Sequence, residues 1–182
     1  MILHNSGTLS AAAVEPNAVT RIAGYAAVFN SYSSDLGGFK EIIRPGAFKQ
    51  SLAGGVDVRA LWNHNNDLVL GRLSAGTLRL REDSKGLFFD LSPPDTQAGR
   101  DAIESIRRGD VTGCSFGFRV PRKGDSWRLM DGERIREIHD ADIFELSICA
   151  FPAYQRTEVG IRMASPQMET AACRLRLLES DD

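Results

Sequence analysis

The sequence predicts a β-rich α+β fold. Three observations carry this: apolar and polar residues alternate over several short segments, turn-forming residues separate those segments, and a single stretch shows a strong helical period. Residues 20–29 (TRIAGYAAVF) set Ile22, Gly24 and Ala26 against Ala23, Tyr25 and Ala27, as a part-buried strand does. Residues 30–48 are rich in Ser and Gly until Pro45, whose fixed φ suits the start of a short helix over 46–52, stopped by Gly54 and Gly55. Residues 56–65 (VDVRALWNHN) read as a strand ending in polar residues, and 70–92 as two or three strands joined at Ala75-Gly76 and Ser84-Lys85-Gly86, an antiparallel meander. The best helix spans 96–108, where Ala98, Ala102, Ile103 and Ile106 form an apolar face. Asp95 is its expected N-cap and Gly109 its stop, and Arg107-Arg108 suit the negative end of its dipole. GCSFGFRVP, SWRLMDGERIREIHD and DIFELSICAFP are further strand segments, with Asp131-Gly132 as the clearest hairpin turn. Beyond Pro166 the chain reads as a terminal helix followed by an acidic end.

A chain of 182 residues fits one core. The expected division is a mobile N-terminal segment at 1–18, the main domain at 19–162 and a tail at 163–182. Hydrophobic residues at 42% and charged ones at 25% are the composition of a globular domain rather than of a disordered chain. A net charge of -2 and a pI near 5.9 offer no broad positive field, which argues against a dedicated nucleic-acid binder. Cys114, Cys149 and Cys173 have no C-x-x-C spacing, so neither a disulfide framework nor a zinc cage is indicated, and a reducing compartment is the natural setting. No apolar run approaches the roughly 20 residues of a membrane span, no basic-then-apolar leader opens the chain, and no metal or cofactor motif is present.

Ser115 stands in Gly113-Cys114-Ser115-Phe116-Gly117, a G-x-S-x-G pattern that in many hydrolases presents a serine on a strand-to-helix elbow. Here a helix precedes the serine and an apolar strand follows it, and only His139 comes later in the chain, so an α/β-hydrolase is disfavoured. A serine nucleophile needs a neighbouring base, and the chain has three histidines: His4 in the N-terminal segment, His139 in a charged strand or turn, and His64 at the end of an apolar strand. His64 is the preferred base. Glu145, flanked by apolar residues, shares a strand face with Ser147 and Cys149 and is the candidate to orient the imidazole. Asp140 and Asp142 are rivals on the opposite parity. Cys114 is an alternative nucleophile, but adjacent strand side chains point oppositely, so only one of Cys114 and Ser115 can face His64. Arg107 and Arg108 could stabilise an oxyanion, although the helix dipole alone accounts for them.

The ordered succession GYAAVFN, EIIRPGAF, LWNHN with LGR, GCSFGF and FELSICAFPAYQRTEV, over roughly residues 24–159, resembles the tailed-phage prohead proteases. The resemblance implies a serine endopeptidase with a fold similar to the herpesvirus capsid maturation proteases, an antiparallel closed or nearly closed β-barrel surrounded by a few helices. It assigns catalysis to His64 and Ser115, with Glu145 as the third member, where the herpesvirus enzymes carry a second histidine. It further implies action inside the immature shell on scaffold or N-terminal segments of the major capsid protein, self-cleavage and a homodimer, with no cofactor, nucleic acid or membrane involved. The readings set against it are a non-catalytic assembly protein of the shell interior and a small-molecule esterase.

Overall fold

The computed structural model describes residues 19–164. Contacts gather Thr20–Arg162 into one compact unit and assign Met1–Val19 and Met163–Asp182 to another. The expectations for residues 1–18 and for a helix beyond Pro166 lie outside the described residues.

Eleven strands and two helices are described, in the order β1 (Val19–Val28), β2 (Lys40–Ile43), α1 (Lys49–Ala53), β3 (Arg59–Trp62), β4 (Asn65–Arg72), β5 (Leu78–Glu82), β6 (Gly86–Leu91), α2 (Gln97–Arg108), β7 (Gly113–Arg119), β8 (Asp125–Met130), β9 (Glu133–Ile138), β10 (Asp142–Cys149) and β11 (Glu158–Ala164). They form three sheets, ordered β11-β1-β6-β5, β4-β3-β10-β7 and β2-β9-β8. The β-rich class is therefore as the sequence reads. Among the described residues, however, no sheet closes into the expected barrel; each has two edge strands. Nor is the pairing wholly antiparallel, because β3–β10 and β2–β9 run parallel.

The expected meander breaks at Leu73–Gly76, because β4 pairs with β3 while β5 pairs with β6. Leu73 donates its amide to Val58 O, and the Arg72 amide goes to the Thr77 hydroxyl, so the end of β4 is satisfied without a β5 partner. The three sheets meet over one core that includes Ile22, Phe48, Phe89, Leu91, Leu146 and Ile148, all fully buried.

Two elements escaped the sequence reading. β2 buries Ile42 and Ile43 but follows a Ser/Gly-rich stretch and pairs with the distant β9. β11 joins β1 at the edge of the first sheet. The short helix starts later than expected, at Lys49, since Gly46 takes φ +95, which no right-handed helix accommodates.

α2 is as its apolar period predicts, with Ala102 and Ile106 buried. Its N-cap is Thr96 rather than Asp95: the Thr96 hydroxyl accepts from the Gly99 amide at 3.3 Å, and Asp95 instead pairs with Arg100 at 2.6 Å. Gly109 closes the helix in the left-handed region, φ +78. The small β2-β9-β8 sheet presents Trp127, packed against Phe39 and faced by Arg134 and Arg136.

Candidate active site

β10 is the strand on which the candidate residues meet. It lies between β3 and β7, so every backbone group of its central part is laddered and its side chains are fixed in direction. Leu146 and Ile148 enter the core, which turns Glu145, Ser147 and Cys149 to the other face. A bulge at Phe144 lies between the paired residues Ile143 and Glu145. Asp142, before that bulge, stands opposite Arg119 and is exposed; Asp140 has its amide bonded to Gly124 O. Neither aspartate bonds His64, so of the three acidic candidates Glu145 is the one brought to the ring.

His64 is not the last residue of a strand. Trp62 pairs with Asn65, and Asn63 and His64 between them take φ +50 and +58, the two left-handed positions of a type I′ hairpin turn. Asn63 tolerates this conformation and is tied at both ends, its amide donating to Ile148 O at 2.9 Å and its side-chain oxygen accepting from the Ala150 amide at 3.3 Å. The turn thus folds over the end of β10. His64 Nδ1 meets Glu145 Oε1 at 2.5 Å, the His64 amide donates to Ser147 Oγ at 3.2 Å, and Ser147 Oγ donates to the same Glu145 oxygen at 2.7 Å.

Ser115 stands directly opposite Ser147 in the antiparallel β7–β10 pair. Paired residues share a face with their Cα atoms about 4.5–5.5 Å apart, so Ser115 lies beside the His64–Glu145–Ser147 cluster. It is 9% exposed, and its hydroxyl makes no hydrogen bond to another described residue. Cys114, one residue earlier, points the other way: it is fully buried, with Sγ donating to Tyr25 O at 3.4 Å, and burial pushes its thiol far above the ordinary range. The core position of Cys114 answers which of the two faces the histidine.

The G-x-S-x-G pattern here is a packing device on a strand rather than an elbow. A Cβ on Gly113 would come within 2.6 Å of the Pro152 ring, and one on Gly117 within 2.7 Å of the Phe144 ring and 3.2 Å of Glu145 Cβ. Ser115 is therefore the one side chain on this face of β7 between two apolar blocks, Pro152 at one side and Phe144 at the other.

The remaining candidates lie elsewhere. His139 Nε2 is 2.9 Å from Ser126 Oγ in the β8–β9 hairpin, in a different sheet. His4 and Cys173 lie outside the described residues. Arg107 and Arg108 pair with Glu104 and Asp110 at 2.8 and 2.9 Å. Sequence reasoning missed the roles of Ser147 and Asn63 in the cluster. The signal was present in W-N-H-N, an Asn-led pair between two apolar runs.

No curated protein matches the chain. Among solved structures it is similar to KSHV protease, solved in complex with a hexapeptide phosphonate inhibitor, at 12% identity and a TM-score of 0.47 over 79% of this chain and 64% of that one. It is also similar to varicella-zoster virus protease, at 15% identity and a TM-score of 0.44 over 90% of this chain and 77% of that one. The chain thus spans less than two thirds of the KSHV protease chain. The model of the caudovirus prohead serine proteases matches residues 8–172, almost the whole sequence, and the chain belongs to that family.

Proposed function

We propose that this protein is a serine endopeptidase of prohead maturation in which Ser115 is the nucleophile, His64 the general base and Glu145 the group that orients His64. The observation that carries the reading is the 2.5 Å contact of His64 Nδ1 with Glu145 Oε1 on the strand that faces Ser115. A carboxylate accepting at Nδ1 keeps the proton there and leaves Nε2 free to take the proton of Ser115 as it attacks a peptide carbonyl. The imidazolium so formed is stabilised by the same carboxylate, and it returns the proton to the leaving amine. Water then releases the acyl group by the reverse assistance.

Family membership supports capsid protein as the substrate class, and the proposal takes its N-terminal or scaffold segment as the part removed. Self-cleavage and a homodimer belong to the same proposal, as does a place of action in the interior of the prohead. Removing an internal scaffold by hydrolysis frees volume for DNA and makes the step irreversible. Confinement of enzyme and substrate in one shell raises their effective concentration.

The test is co-expression with the cognate capsid protein, followed by the mass of the capsid subunit. Wild type is expected to truncate it, and both Ser115→Ala and His64→Ala to leave it intact. Truncation by Ser115→Ala would remove Ser115 from the role of nucleophile, and an intact subunit with wild type would favour a non-catalytic assembly protein. Cleavage of short acyl esters but not of capsid protein would favour an esterase.

A further inference from the structure

Ser147 is fully buried, yet it carries a hydroxyl that the catalytic steps above do not use. Its two hydrogen bonds have forced directions. The His64 amide can only donate, so the Ser147 oxygen accepts there; an ionised Glu145 can only accept, so the Ser147 proton points to Oε1. With the His64 Nδ1 contact to that same oxygen, the bonds close a ring: His64 backbone to Ser147, Ser147 to Glu145, Glu145 to the His64 imidazole.

We infer that Ser147 is a positioning residue that locks the backbone and the ring of His64 to one carboxylate oxygen. Two consequences follow. With two donors aimed at Oε1, that oxygen has no room for a proton of its own, so the proton stays on Nδ1 and Nε2 stays an acceptor toward Ser115. The bond to the His64 amide also holds a backbone conformation, φ +58, that an L-residue leaves readily when nothing fixes it. Glu145 orients the ring about its own bonds, whereas Ser147 adds to the two Asn63 bonds a third tie between the turn and β10, the one made at His64 itself.

The inference rests on the reading of His64 and Ser115 as base and nucleophile, and the test separates the two. Ser147→Ala removes the hydroxyl, Ser147→Cys keeps nearly the same volume with a much weaker donor, and Ser147→Thr restores the hydroxyl. Cleavage of a capsid-derived peptide is expected to lose roughly 10- to 100-fold in kcat in the Ala and Cys variants with KM within about twofold, and to recover at least in part with Thr. In parallel, the low-field proton resonance of His64 Nδ1–H is expected in wild type and in Ser115→Ala, and to shift upfield or vanish in Ser147→Ala. A role in packing alone predicts that Ser147→Cys behaves as wild type by both measures, and that result overturns the inference. So does an unchanged His64 resonance in a folded Ser147→Ala. If Ser115→Ala still cleaves, the nucleophile is misassigned, and the resonance still decides the role of Ser147.

Discussion

The ring proposed to accept a proton from Ser115 is carried on a left-handed residue, His64 at φ +58. For an L-residue with a Cβ this costs about 1–2 kcal/mol, a cost glycine escapes. The ordinary order of substitutions should therefore reverse here. His64→Gly and His64→Ala both lose the ring and its partly exposed contact with Glu145, but the glycine variant is expected to be more stable by about 1 kcal/mol in urea unfolding. Equal stabilities, or a more stable alanine variant, would contradict the turn. That His64, beside an apolar strand, meets Glu145 agrees with the sequence expectation for that pair. Its turn was not legible, because Asn-His is an unusual occupant of a I′ turn, and the candidate base stands where the glycine that would have marked it is usually found. The apolar neighbours of Glu145 marked it as a candidate, but the bulge at Phe144 leaves no mark in the sequence: it lets Ile143 and Leu146 both enter the core and so removes the parity difference between Asp142 and Glu145 that a regular strand would impose.

Among the elements, β7 shows how a familiar motif takes a different meaning. Gly113 and Gly117 lie two residues on either side of Ser115, which on a strand places all three on one face, and at Gly117 the space a side chain would need is already filled by Phe144 and Glu145. Gly117→Ala should therefore damage activity more than stability. Phe144 is 43% exposed and can swing outward, whereas Glu145 Cβ is fixed to the backbone and shifts the carboxylate with it. A fall of roughly tenfold in kcat with little change in Tm is expected. A wild-type kcat would show that Glu145 tolerates the displacement. α2 was readable throughout because its period is local, while the parallel partners β2 with β9 and β3 with β10 are set by tertiary contacts that no local pattern encodes.

For the whole molecule, ion pairs reinforce contacts between strands that the sheets already set side by side. Asp57, before β3, bonds Arg72 at the end of β4 at 2.6 Å and the Ser74 amide at 3.2 Å, and the Arg72 guanidinium holds its carboxyl down to about 2 from the usual 3.8. A carboxyl depressed in the folded state contributes stability that is present above its unfolded pKa and lost as pH falls through the folded one. Wild type should therefore exceed Asp57→Asn in stability near neutrality, and the two unfolding curves should converge between pH 4 and 2. A constant difference over that range would assign the contribution to another group. Glu41, nearly buried, serves as a second fastening: it accepts from Tyr154 and from Arg136, each at 2.9 Å, and Tyr154 in turn packs on Phe116 of β7. The expected closed or nearly closed barrel is not seen among the described residues, where the turn at Leu73–Gly76 sends β4 and β5 to different sheets. The chain's two tryptophans fall in different sheets. Trp62 ends β3 directly before the turn that lifts His64, and Trp127 belongs to β8 in the small sheet. Replacing Trp127 with phenylalanine leaves a single tryptophan next to the candidate site, so that the proposed acylation of Ser115, or a peptide settling over the turn, becomes visible as a change in tryptophan emission from an unlabelled protein acting on an unlabelled substrate.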